Sequence, residues 1–169
     1  IADYLAGHAP DILLCAAGGI ADGRGLAAAL MLGADGALVG SRFWASEEAL
    51  VHPKMMQAAL AANGDDTMRT SIVDVVRQLD WPSRYSARVI KNDFSDKWQH
   101  DPDGLQAVLE EEAARWQDAL SVGDSSVANV FLGEGVGLIH DVLPAQVIMQ
   151  TIIAEAEKQL HRNYGKNLA

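Results

Sequence analysis

From residue 11 to about 62, short apolar runs alternate with stretches of helical period, the pattern of βα units that feed a parallel sheet. Asp11 to Ala16 is a continuous apolar run suited to a strand buried on both faces, and Ala17-Gly18-Gly19-Ile20-Ala21-Asp22-Gly23 follows it as a turn. The next segment is a helix. Leu26, Leu30 and Met31 recur at helical spacing, the intervening alanines allow close packing on a sheet, and Gly33 stands where a left-handed cap is wanted. A second unit opens with the short buried strand Gly36-Ala37-Leu38-Val39-Gly40, continues through Ser41-Arg42-Phe43-Trp44, and reaches Glu47 and Glu48, whose charge suits a helix start. His52 to Asn63 is also helical, with Pro53 in its first turn and Gly64 just beyond its end.

After Gly64 the alternation stops. Asp65 to Asp103 is mixed and turn-rich, with Asp80-Trp81-Pro82-Ser83-Arg84-Tyr85 as a loop. Gly104 to Leu120 is an amphipathic helix, with Leu105, Leu109, Trp116 and Leu120 on or near one face and Glu110-Glu111-Glu112 as a solvated opposite face. A last helix runs from Pro144 to about Leu160, with Ile148, Ile152 and Ala156 at i, i+4 spacing. Trp44, Trp81, Trp98 and Trp116 read as packing residues.

Composition narrows the classes. The chain has 169 residues, 49% of them hydrophobic, enough for an ordinary globular core. Its 23 acidic residues against 13 basic ones create a field that repels nucleic acid and anionic membrane. No apolar stretch approaches the ~20 residues that cross a bilayer, and Ile1-Ala2-Asp3-Tyr4 has neither a starting Met nor a basic leader, so the expectation is a cytoplasmic chain whose start is internal. The lone Cys15, inside Ile12-Leu13-Leu14-Cys15-Ala16, reads as a buried structural thiol.

The chemistry sits in two glycine turns. Gly18-Gly19 and Gly40-Ser41 each follow a predicted parallel strand, one βα unit apart, so neighbouring strands would bring both to the same rim. Without Cβ atoms their N–H groups can converge on a phosphate dianion, and Ser41 adds a hydroxyl. The alternative is that the glycines only turn the chain. Arg42 is a secondary phosphate candidate, or a partner of Glu47 or Glu48. His8, His52, His100, His140 and His161 are scattered over loops and helix surfaces, and none earns assignment as a catalytic base; no His/Cys spacing suggests a metal.

Ala16-Ala17-Gly18-Gly19-Ile20-Ala21-Asp22-Gly23-Arg24-Gly25 and Leu32-Gly33-Ala34-Asp35-Gly36-Ala37-Leu38-Val39-Gly40-Ser41-Arg42-Phe43 resemble the last two barrel units of the nitronate monooxygenase (2-nitropropane dioxygenase) family. The resemblance continues through Asp80-Trp81-Pro82, Ala87 to Asn92 and Gly133 to Ile139. It implies an α/β fold, the C-terminal portion of a (β/α)8 TIM barrel with a helical insertion lobe. It also implies an FMN-dependent oxidation of alkyl nitronates, with a small-molecule substrate and oxygen as partners. By the same resemblance Ala17, Gly18, Gly19, Val39, Gly40 and Ser41 hold the FMN phosphate, Ser41 standing where the family usually has Thr. Glu134 and Gly135 fall at a substrate-pocket motif, although Glu134 replaces the family's usual Gln.

The family's catalytic histidine belongs to a glycine-rich segment before the first strand, and no such segment exists here, so the base is expected upstream. Two βα units cannot close a barrel that needs about 250 residues, so the N-terminal part of the same barrel is an expected partner. The implied division is residues 1–43 as the last two barrel units, 44–140 as a helical lobe over the active-site rim, and 141–169 as a C-terminal helix on the barrel. FMN-dependent enoyl-acyl-carrier-protein reductase shares both turns and is the alternative, beside other phosphate-binding TIM-barrel enzymes.

Overall fold

A computed structural model describes residues 1–82 and 84–162. Ser83 of the predicted loop and the end of the predicted 141–169 segment lie outside them. In chain order the elements are α1 (Ala2–His8), β1 (Cys15–Ala17), α2 (Gly23–Met31), β2 (Gly36–Leu38), α3 (Ser41–Trp44), α4 (Pro53–Ala61), β3 (Thr67–Thr70), α5 (Ile72–Val76), β4 (Ala87–Ile90), α6 (Asp93–Trp98), α7 (Pro102–Ala107), α8 (Leu109–Val122) and α9 (Ala145–Leu160). The fold is α/β and divides into two compact units, one of Ile1–Glu48 with the stretch from Val142 onward, the other Ala49–Asp141. Residues 44–48 stay with the first unit because Ser46 forms a parallel bridge to Leu143 and Glu47 N donates to Leu143 O at 3.1 Å.

In the first unit β1 and β2 pair in parallel, Cys15 with Gly36, Ala16 with Ala37 and Ala17 with Leu38. Both strands are shorter than their apolar runs predict, and neither is buried. Ile12 and Leu13 lie before β1 and are exposed, Leu38 is 71% exposed, and Cys15 is an exposed thiol rather than a buried one. The physical reason is the sheet's size: among the described residues it has two strands, so residues suited to a larger buried sheet find no cover here. The helices follow the pattern more closely. Asp22 caps α2 through the Gly25 amide at 2.9 Å, and Gly33 takes the left-handed conformation beyond its end with φ 92°. On α9 the predicted Ile148, Ile152 and Ala156 stripe is buried, and it meets α2 at Gly23 and Ala27, both buried. Glu47 and Glu48 open no helix of their own: the Glu47 amide goes to Leu143 O, and the Glu48 carboxylate accepts the Ala145 amide at the start of α9.

The second unit carries more strand than a helical lobe implies. Within Asp65 to Asp103, which the sequence pattern leaves unassigned, β3 and β4 pair antiparallel, Thr67 with Ile90 through Thr70 with Ala87. Val73, Val76, Val89, Phe94, Leu105, Trp116 and Val136 form its core. The single helix predicted from Gly104 to Leu120 is broken at Val108 into α7 and α8. Its acidic face also differs: Glu110 and Glu111 are exposed, but Glu112 is buried and joined to Lys97 Nζ at 2.8 Å and Arg115 Nη1 at 3.4 Å. Trp98 and Trp116 are core residues as expected, while Trp81 is exposed and meets Tyr85 edge-on. Among the described residues no helix is long and apolar enough to cross a membrane.

Candidate functional site

The parallel register puts the residues after Ala17 and after Leu38 at the same end of the two-stranded sheet, so the turns Gly18-Gly19 and Val39-Gly40-Ser41 emerge side by side. Gly18 and Gly19 have φ of 93° and 72°, backbone that side chains with a Cβ rarely adopt. Gly40 is different, with φ −98° and ψ −70°, and it opens α3, whose first turn closes with Trp44 N donating to Gly40 O at 2.9 Å. A Cβ added at Gly18, Gly19 or Gly40 would meet no heavy atom within 4 Å. The three glycines thus face open space at one end of the sheet, which is the room an oxyanion needs to reach backbone amides. That room is what the phosphate reading of the two turns requires.

Val39 lines an apolar cavity of about 310 Å³ together with Leu26, Ala37, Phe43, Met149, Ile152 and Ile153. Arg42 is buried, and its Nη1 donates to Ala45 O at 3.2 Å, closing the far end of α3. Asp22, a signal the sequence carries as a helix-capping residue three before Gly25, ties off the first turn at its helix end. Burial alone would raise its carboxyl, but the Gly25 amide and the Arg24 guanidinium, 2.7 Å away at Nε, outweigh burial and hold it below the usual carboxylate range.

Glu134 and Gly135 belong to the second unit, where they start a short 3-10 turn, Glu134–Leu138. The Glu134 carboxylate is exposed and pairs with Arg88 Nη2 at 3.3 Å, while Arg88 Nη1 donates to Thr67 Oγ1 at 3.0 Å and Thr67 Oγ1 donates to Gly64 O at 2.7 Å. The pairing of Arg88 with Glu134 was not legible in the sequence, because the partner arrives from 46 positions further on in a turn without periodicity.

The histidines divide by what they touch. His52 caps α4, its Nδ1 accepting the Lys54 amide at 3.2 Å, and His8 stacks on Tyr4 at 4.2 Å between centroids. His100, His140 and His161 are exposed. Among the described residues no group of three or more His, Cys, Asp or Glu side chains is placed to hold a metal ion.

Residues 4–155 match the family model described as nitronate monooxygenase. The chain is 32% identical over 155 residues to a nitronate monooxygenase of Neurospora crassa, covering 90% of this chain and 40% of that protein. It is 36% identical over 151 residues to the nitronate monooxygenase npaC of Metarhizium robertsii, covering 85% of this chain and 41% of the relative. Among solved structures, FabK from Thermotoga maritima superposes with a TM-score of 0.73 at 32% identity, over 89% of this chain and 46% of that one. The chain therefore spans about two-fifths of the length of these curated relatives.

Proposed function

From the premise that this chain belongs to the nitronate monooxygenase family, we propose that it provides the phosphate grip of an FMN-dependent oxidoreductase acting on alkyl nitronates with oxygen. The observation that carries the reading is the pair of glycine turns at one end of β1 and β2, each opening onto space that a side chain would fill. The backbone amides of Gly18 and Gly19, flanked by Ala17, meet the phosphate from one side. Gly40 and Ser41 meet it from the other, with Val39 anchored in the apolar cavity beneath. FMN, when bound, supplies the electron acceptor and the reaction with oxygen; the chain's own residues bind it, orient it and exclude water from its phosphate end.

On this reading the remaining barrel strands and the catalytic base correspond to the part of the relatives that this chain does not match, and such strands would cover the exposed Ile12, Leu13 and Leu38. Glu134 and Gly135 are the candidate substrate-side residues of the second unit. A second reading, an FMN-dependent enoyl-acyl-carrier-protein reductase, is favoured by the likeness in fold to FabK. Both readings use the same turns and differ in the electron source. A nitronate reduces flavin directly, whereas an enoyl thioester is an acceptor that needs a hydride donor. Oxygen uptake by the full-length protein with propionate 3-nitronate and no NADH, measured beside NADH oxidation with a crotonyl thioester, separates them. NADH-dependent thioester reduction without nitronate turnover would overturn the first reading in favour of the second.

A further inference from the structure

Both glycine turns end on elements held by one helix that comes much later in the chain. Gly23, the first residue of α2, donates its amide to Glu155 Oε2 on α9 at 3.0 Å, 132 positions away. A side chain at Gly23 would run into Glu155 and the Ala156 backbone, so the two helices touch at that point with nothing between them. One face of α9 also supplies Met149, Ile152 and Ile153 to the apolar cavity that holds Val39 and Phe43, the residues flanking Gly40-Ser41-Arg42. The first turn is thus tied to α9 by a charged hydrogen bond, and the second by apolar packing.

An electrostatic consequence follows. The first-turn amides of α2 are its positive end, and two of them, Gly23 and Gly25, are already taken by the carboxylates of Glu155 and Asp22. That end of α2 adds little to anion binding. The grip falls to the Gly18-Gly19 and Gly40-Ser41 turns, and its quality depends on how firmly the first of them is pinned, because glycine backbone is the least self-ordering.

We propose that Glu155 is a positioning residue for the phosphate grip: by holding the Gly23 amide it fixes the helix end of the Gly18 to Asp22 turn and, through α9, the spacing of that turn from Gly40-Ser41. This role rests on the phosphate reading above. Releasing Gly23 frays the first turn of α2 and lets the two glycines wander, so binding must then meet the cost of ordering them.

The test compares FMN with riboflavin, which lacks the phosphate, on reconstituted full-length apoprotein by flavin fluorescence quenching. Glu155→Ala should raise the Kd for FMN about tenfold and leave that for riboflavin unchanged. Glu155→Gln, whose amide oxygen still accepts, should stay near wild type. Where the alanine variant does not fold, Glu155→Met, close to glutamate in length but without an oxygen acceptor for the Gly23 amide, should show the same selective loss. Affinities that fall together for both flavins, or an unchanged FMN affinity, would overturn the role of Glu155. A wild type that binds riboflavin as tightly as FMN would overturn the phosphate site itself, and this role with it.

Discussion

The Ala145 amide donates to both carboxylate oxygens of Glu48, at 2.8 and 3.0 Å, across 97 positions of sequence. Pro144, at the cap of α9, offers no side-chain acceptor, so Glu48 takes the place of a local cap and sets a negative charge at the helix's positive end. Glu48→Ala should cost about 1 kcal/mol of stability, read as a lowered melting temperature of the full-length protein. Glu48→Gln should recover part of the loss by keeping the acceptor without the charge. An unchanged melting temperature in Glu48→Ala would mean that solvent serves Ala145 equally well.

Gly40 and Gly19 separate ligand contact from backbone strain. At Gly40 the backbone is ordinary for any residue and the space beside it is open, so Gly40→Val should leave melting of the flavin-free protein nearly unchanged while weakening FMN binding. At Gly19, with φ 72°, the same substitution also forces a left-handed valine and should lower stability by about 1–3 kcal/mol. Flavin retention on gel filtration, beside thermal melts of both apoproteins, reads the two effects apart. Full flavin retention by Gly40→Val would remove Gly40 from the grip.

Local signals were legible and distant ones were not. The α2 helix, the α9 stripe, the left-handed Gly33 and the juxtaposed glycine turns all follow from spacing over a few residues, where period and turn chemistry act directly, although α2 buries Gly23 and Ala27 while Met31 of its apolar period is exposed. The fates of Glu48, Glu112 and Glu155 depend on partners that only the fold brings near. Glu112 stands in an acidic run that reads as solvated, yet Lys97 comes 2.8 Å from it. Burial of β1 was overpredicted for a related reason, since an apolar run records the sheet its residues suit, whereas exposure depends on which neighbours are present.

Glu112 gives the second unit a defined acid sensitivity. Burial alone would raise its carboxyl, but the Lys97 ammonium and the Arg115 guanidinium outweigh burial and bring it below the ordinary value of 4.5. A group depressed in the folded state adds stability that is complete above its unfolded pKa and is lost as pH falls through the folded value. The contribution is therefore present at neutral pH and disappears below about pH 4.5. Chemical denaturation from pH 7 to pH 3 should show Glu112→Gln less stable than wild type at pH 7, with the gap closing in acid. A gap that stays constant with pH would show that the pair does not hold the carboxyl down.

His52 and Gly123 should be energetically coupled, and the coupling bears on what the histidine is for. Gly123 ends α8 in the left-handed conformation with φ 71°, and a Cβ there would run into the His52 imidazole, which caps α4 through the Lys54 amide. Gly123→Ala therefore has two costs, the left-handed backbone at about 1–2 kcal/mol and the displaced cap at about 1 kcal/mol. His52→Ala loses the cap but clears the space, so the double variant should be less destabilised than the sum of the singles by at least about 0.5 kcal/mol. Denaturant unfolding of the four proteins measures this, and additivity within error would refute the contact. If the full-length protein oxidises nitronates as proposed, His52→Ala should lower its stability while leaving that turnover unchanged, because the imidazole nitrogen facing Lys54 is already engaged as a helix cap. A large loss of turnover at unchanged stability would instead make His52 a participant in the chemistry.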